Sequence, residues 1–424
     1  MRIAKWVTIV LGGLAALAVL AGVVLTQVID PNRFRGAIER QVTATTGREF
    51  HLQGDIELSF FPWLALTTGA AELQSPHGFP ERAFLRWRAA HVGVRLVPLL
   101  RDQLVVDRIR IDGLDARLVR TVDGRTNWSF DTGTPQATPS AAGTEKLADI
   151  AGVELRDAHV IYDDLAAARS LVADVRRLEV APIRRGAPMR VELEAALAEA
   201  KHAERAAIRL ALRVTPGPPL TIDDTTLTGT LRDGRFGGTG VPLGFTAPRV
   251  RYDATAASVD VPEWRLRFDD ATLDGAVEAT FGAATSARGR VSLAPVSLRA
   301  TLAAAGITLP PTRDARAYAH VELGAGFSLS GAAWTIEPLT IRLDDTRLAG
   351  SVTRGAGDAD TIRFALHGDR IDLDRYLKPE GTPSEPFVLP TEALKALRVA
   401  GTLDIDEATI EGVQMKGVQL GAGP

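Results

Sequence analysis

The sequence predicts a mainly β protein, with one N-terminal transmembrane helix followed by an elongated, twisted antiparallel β-sheet structure. Three observations carry this. Val7 to Val28 is a run of about 22 residues without a charge, enough at ~1.5 Å per residue to cross a ~30 Å hydrocarbon core. From His51 onward the apolar residues alternate with period two, broken by turn residues. The form D-D-x-x-L-x-G-x-(V/L) then recurs three times.

Taken in order, residues 1–6 carry Arg2 and Lys5, so the short N-terminus is expected in the cytoplasm. A cleaved signal peptide, with Val19 and Ala21 as its small residues, is the alternative to a retained span at 7–28. The apolar run is longer than a usual h-region and continues past that site. Asp30-Pro31 opens a helix, because Asp caps free amides and Pro is tolerated at the first helical position. Phe34, Ala37, Ile38, Gln41, Val42 and Thr45 form one stripe and Gly47 ends it, which predicts a juxtamembrane helix within 29–47. It lies on the lipid surface, caps the ectodomain, or packs on the first strands.

Residues 48–130 read as an N-terminal β module, with alternation in Trp87–Leu100 and Leu104–Arg120 broken at Gly113 and a turn pair at Asp123-Gly124. Residues 131–148 are rich in Pro, Gly, Ser and Thr, and predict a loop or linker. Residues 149–380 read as a repeated hairpin sheet. Within it, Met189–Val214 has an Ala/Glu-rich middle open to a helical reading. Yet Val191, Leu193, Ala195 and Leu197 alternate, as do Ala206, Ile208, Leu210 and Leu212, which favours two strands with a loop near Glu199–Glu204. A short helix near Thr391–Leu397 leads into an incomplete C-terminal β segment within 381–424.

The repeats start at Asp223, Asp269 and Asp344. With each Asp pair as a two-residue turn, Phe268 faces Ala271, Leu266 faces Leu273 and Trp264 faces Gly275. In the third copy Ile341 faces Leu348 and Leu339 faces Gly350. In the first, Leu220 faces Leu227. A large apolar side chain thus lies across from glycine in two copies, a form of strand-glycine cover. Arg265, Arg267, Thr272, Asp274, Arg342 and Arg347 fall on the other face, as in a half-wetted antiparallel sheet.

Composition narrows the chemistry. With 46% hydrophobic and 24% charged residues the chain is a folding one. A net charge of −3 gives no footprint for nucleic acid. Zero cysteines exclude disulfides, thiolate metal sites and thiol nucleophiles. The seven histidines (51, 77, 91, 159, 202, 320 and 367) include no metal-ligand pair in sequence, and no Walker loop, H-E-x-x-H, G-x-G-x-x-G or G-x-S-x-G is present. Asp372/Asp374 and Asp404/Asp406 are paired carboxylates of acid–base form, although such pairs commonly line the solvated face of a strand. Asn127-Trp128-Ser129 is a sequon in form. No enzyme, metal or cofactor is expected.

Several weak motifs in order carry a family resemblance. They are the anchor, Pro31–Phe34, Thr46-Gly47-Arg48, Leu52-x-Gly54-x-Ile56, Phe61-Pro62-Trp63-Leu64, Val97-Pro98-Leu99-Leu100 and Asp123–Trp128, then Leu366–Leu377 and Val399–Leu420. In this order the chain resembles the AsmA family of Gram-negative bacteria, over nearly its whole length. Members usually continue further, so the stop at Gly421–Pro424 predicts a fragment or a short member. The resemblance implies a single-pass inner-membrane protein with its bulk in the periplasm. It also implies a sheet folded around an apolar groove, as in bridge-type lipid-transfer relatives such as TamB. The implied role is envelope biogenesis: phospholipid movement between inner and outer membrane, or assembly of outer-membrane proteins.

The expected partners are therefore membrane phospholipid and envelope proteins. The groove candidates are Leu220, Leu227, Trp264, Leu266, Phe268, Leu273, Val277, Leu339, Ile341, Leu343, Leu348 and Val352. Read from the residues alone, the same side chains fit an ordinary closed core. The competing functions are a scaffold or chaperone-like factor without lipid, and an anchored enzyme, which the missing motifs disfavour.

Overall fold

The computed structural model describes residues 30–59, 64–80, 83–94, 106–129, 150–184, 186–199, 205–232, 240–282, 285–355, 361–379 and 398–423. The expected span at 7–28, the loop at 131–148 and the short helix near 391–397 lie outside them. Among the described residues no helix is long and apolar enough to cross a membrane. The described chain is mainly strand, and it divides into two compact units, residues 1–211 and 212–424.

The first unit opens as the capping signals require. Asp30 accepts a hydrogen bond from the Asn32 N–H at 3.0 Å, Pro31–Phe34 is a 3-10 turn, and the helix Arg35–Thr46 ends at Gly47 with φ 68°. Its Ile38 and Val42 pack on a buried cluster of Phe50, Leu52, Ile56, Ala71, Leu73 and Phe84. Of the expected placements, the helix takes the one against the first strands. Eight short strands follow: β1 (Phe50–Leu52), β2 (Ile56–Ser59), β3 (Leu64–Thr68), β4 (Ala71–Gln74), β5 (Ala83–Trp87), β6 (Ala89–Val94), β7 (Val106–Asp112) and β8 (Asp115–Arg120).

These strands make two ladders, β2-β3-β6-β7 and β1-β4-β5-β8. The chain passes between the ladders at Gly54 and Gly69, whose backbones touch. A Cβ on Gly54 would lie 2.5 Å from the Ala70 nitrogen. No other residue fits this crossing. Both ladders then join one long strand, β9 (Ile150–Asp164), β7 along its first half and β8 along its second. β10 (Arg169–Ala181) and β11 (Met189–Glu199) continue antiparallel. With β12 (Arg205–Thr215), β11 realises the two-strand reading of Met189–Val214.

The second unit is a run of long strands: β13 (Leu220–Arg232), β14 (Val241–Asp253), β15 (Ser258–Phe268), β16 (Ala271–Thr280), β17 (Ser286–Val296), β18 (Val321–Ser330), β19 (Ala333–Leu343), β20 (Thr346–Arg354), β21 (Thr361–Asp372), β22 (Arg398–Ile410) and β23 (Val413–Ala422). Each pairs with the next antiparallel, except that β21 and β22 run parallel. The expected all-antiparallel sheet is thus corrected to a mixed one, with parallel joins at β7–β9, β8–β9 and β21–β22. The cause is chain length. These joins follow connections of a dozen or more residues, which a parallel pair needs and a hairpin does not.

Two Asp pairs turn the chain as expected. Asp269 and Asp344 take φ of 52° and 53°, and the strands pair Trp264 with Gly275, Leu266 with Leu273, Ile341 with Leu348 and Leu339 with Gly350. The first pair does not. Asp223 and Asp224 lie inside β13, so Leu220 pairs with Tyr252 and Leu227 with Phe245. Asp224 keeps the positive φ, 53°, but within a strand that continues on both sides of it.

Candidate functional site

Tracing directly opposed residues from strand to strand in the second unit reveals three apolar rows. The longest is Leu227, Phe245, Leu266, Leu273, Leu293, Leu323, Ile341, Leu348, Gly368, Ile405 and Val418, one residue from each strand β13 to β23. The second is Trp264, Gly275, Val291, Ala325, Leu339, Gly350, Leu366, Leu403 and Leu420, and the third is Val261, Val277, Gly289, Phe327, Ile336, Val352, Phe364, Gly401 and Ala422. No row holds a polar side chain. Directly opposed residues share a face, so each row is continuous. At about 4.8 Å per strand the longest covers roughly 48 Å.

The opposite face is ionic. Arg265 pairs with Asp274 at 2.6 Å, Arg288 with Glu278 at 2.6 Å and Arg249 with Asp223 at 2.8 Å. The first unit repeats the division. Leu58, Leu66, Val92, Ile109, Val153, Val180 and Val191 form a row there. On the other side, fully buried Glu154 is held by Arg156 at 2.8 Å, Arg110 at 3.3 Å, Arg177 at 3.4 Å and Arg108 at 3.5 Å. Burial alone would raise the Glu154 pKa, but the Arg156 hydrogen bond and the surrounding guanidinium charges hold it below the usual carboxylate range.

A crease line of bulges and glycines runs between rows two and three. Pro262-Glu263 is a bulge in β15 and Glu337-Pro338 another in β19, while Gly275, Gly289, Gly350 and Gly401 supply row positions in β16, β17, β20 and β22. A Cβ on Gly275 would lie 2.5 Å from Cε2 of the Trp264 indole and 2.8 Å from the Arg290 carbonyl oxygen. Bulges and missing side chains along one line let a sheet bend towards the face they leave empty. That is the apolar face.

Burial separates this face from a core. None of the twelve candidates is buried, and Leu266 is 39% exposed. The first unit, by contrast, encloses Phe50, Leu52, Ile56, Leu73 and Phe84 at 2–6% exposure. Nine of the candidates fall in the three rows. Leu220, Phe268 and Leu343 lie beside them, opposed to Tyr252, Leu243 and Val321. Phe245, Leu293, Leu323, Val291, Phe327 and Leu366 belong to the same rows and were not foreseen. Their signal was the alternation within β14, β17, β18 and β21, which lacked a repeat motif to fix its register.

Of the two acid pairs, Asp372/Asp374 has structural roles. Asp372 caps the 3-10 turn Leu373–Tyr376, and the Asp374 carboxylate accepts the Glu411 and Gly412 N–H groups at 2.7 Å. Asn127 is buried, accepting from the Val119 N–H at 2.8 Å and donating to the Arg117 carbonyl at 2.7 Å. Between β17 and β18, residues 297–320 form a strap along the strand ends, with a short helix at Leu298–Ala304. Asp344 fastens it, accepting from the Tyr318 and His320 N–H groups at 2.9 and 3.1 Å and from the Tyr376 hydroxyl at 2.9 Å.

The architecture is that of a strand-repeat protein, with one aliphatic and one ionic face on a long hairpin sheet. The AsmA family model matches residues 1–401, and the chain belongs to the AsmA family. It is similar to the AsmA family protein YhjG of Escherichia coli (strain K12), with 24% identity over 137 residues. That stretch is 30% of this chain and spans 20% of the length of that relative. No solved structure matches the chain.

Proposed function

We propose that this protein is anchored in the bacterial inner membrane by Val7–Val28 and shields phospholipid acyl chains along its apolar sheet face, between inner and outer membrane. The observation that carries this is the set of three unbroken apolar rows, most of their side chains only half-buried, on one side of a sheet whose reverse is ionic. Family membership supports an envelope-related role.

The physical need is large. A phospholipid in water exposes about 30 methylene groups at ~0.8 kcal/mol each, roughly 24 kcal/mol. A continuous aliphatic face removes most of that cost for the tails while the head group stays hydrated. Transfer then needs no catalytic residue, only contact surface without a break. A closed core would hide these side chains from any ligand, and their partial exposure disfavours it.

The test is mass spectrometry of lipids extracted from residues 29–424 purified from the periplasm. Bound phospholipid in the wild type, lost in a folded Leu266→Asp/Leu273→Asp variant, is the expected result. A folded wild type without lipid would overturn the proposal.

A further inference from the structure

Beyond row three, directly opposed residues make a fourth row on the same face, from Tyr252 in β14 to Val399 in β22. It differs from the other three. Tyr252, Trp334 and Arg354 stand in it among aliphatic residues, and Arg354 is its one charge. Tyr252 is 42% exposed, and Trp334 is directly opposed to Arg354. Tyrosine and tryptophan, each with an apolar body and a polar tip, suit a boundary between apolar and wet surroundings. Row four is such a boundary, at one margin of the aliphatic face.

The opposite margin is built otherwise. The row before row one holds Leu243, Phe268 and Ala271, then Val321 and Leu343, and the strap 297–320 runs along those strand ends. Charges enter that margin only further on, at Arg370, Glu407 and Lys416. Arg370 is opposed to Glu407, and Glu407 lies 4.0 Å from Lys416. Both cations there have a carboxylate beside them in the register.

Width decides how a lipid fits between the margins. Along β20, row one is at Leu348, row three at Val352 and row four at Arg354. At ~3.3 Å per residue, rows one and three are about 13 Å apart, and row four lies about 7 Å further. A phospholipid tail is about 15 Å long, half of a ~30 Å hydrocarbon core. Laid along the strands from row three, it ends at row one, and its head group falls at row four. A tail laid along a row would leave the phosphate over aliphatic side chains, with no cation in rows one to three. A guanidinium offers a phosphate two parallel N–H donors.

We propose that row four is the head-group margin of the apolar face, with Arg354 beside Trp334 receiving the phosphate of a phospholipid whose tails cross from row three to row one. This rests on the acyl-chain reading and adds to it the orientation of the lipid and the residue that sets it.

The test loads the full chain in detergent with two photoreactive phosphatidylglycerols, one with a diazirine on the head group and one with a diazirine at the tail end. Peptide mass spectrometry maps the adducts. Head-group adducts should fall at and beside Trp334 and Arg354, and tail-end adducts at Leu323, Ile341 and Leu348. The reverse placement, or head-group adducts spread over all rows, would overturn the orientation and leave the acyl-chain reading standing. No adduct of either lipid on the sheet would overturn both. Arg354→Gln should lower retention of phosphatidylglycerol at least tenfold and leave diacylglycerol with the same tails within twofold, and Arg354→Lys should restore part of the loss. Equal loss of both lipids, or no loss, would overturn the role of Arg354. So would calorimetric binding of inorganic phosphate that Arg354→Gln abolishes without changing lipid retention, which would assign the arginine to a free anion. If Arg354→Gln does not fold, the adduct map on the wild type decides alone.

Discussion

Gly275→Ala tests the crease where it is tightest. The added methyl overlaps Cζ2 and Cε2 of the Trp264 indole on the paired strand and meets the Arg290 carbonyl oxygen of the next strand at 2.8 Å. The backbone carbonyl is fixed by its ladder, so the indole must leave. Overpacking of this kind costs about 1–3 kcal/mol, against a gain of about 0.5–1 kcal/mol from replacing a strand glycine by alanine. A net loss of about 1–2 kcal/mol follows. In a unit of about 200 residues that lowers the melting temperature by roughly 2–8 °C. Trp264→Ala removes the obstacle, so the same substitution in that background should cost at least about 1 kcal/mol less. Urea unfolding of the four proteins of the cycle measures this. Additivity of the two substitutions within about 0.3 kcal/mol would refute the argument that Trp264 covers Gly275.

Three further outcomes follow from single contacts. Glu154→Gln should destabilise the first unit by about 3 kcal/mol, because four arginines lose their buried counter-charge. The Glu154 pKa is depressed in the fold, so its contribution is complete above the unfolded value of about 4.3 and is lost as pH falls through the lower folded value. Denaturant titrations from pH 6 to 3 should show that decline in the wild type and a flatter profile in the variant. Asp344→Ala removes the acceptor of three hydrogen bonds and a residue suited to φ 53°. Hydrogen exchange should then rise at least tenfold within residues 297–320 while the second unit's hairpins stay protected. Gly54→Ala forces apart two backbones already in contact, and should lower the first unit's melting temperature by several degrees, read by circular dichroism.

What was legible in the sequence was what a few adjacent residues decide. Asp30-Pro31 and Gly47 bounded a helix, and the alternation of Val191–Leu197 outweighed an Ala/Glu-rich composition. The turns at 269–270 and 344–345 fixed their own registers, because aliphatic pairs lay symmetrically about them. The same two letters at 223–224 misled, since Asp224 takes its positive φ in mid-strand and not in a turn. The parallel joins were hidden because direction depends on where a long connection returns. The crease required Pro262, Pro338 and four glycines to come into line across strands, which only the accumulated register provides. Exposure of the rows was likewise invisible, since an inward leucine reads the same in a core and on an open face.

The most direct measurement places a photo-crosslinking phenylalanine analogue singly at Leu293, Leu323, Ser292 and Ser328 in cells with phosphate-labelled phospholipids. Leu293 and Leu323 are opposed members of the longest row, and Ser292 and Ser328 lie on the reverse face of the same two strands. The account predicts labelled lipid adducts at the two leucine positions and none at the two serines. Equal labelling of both faces, or no adduct at either leucine, would contradict it.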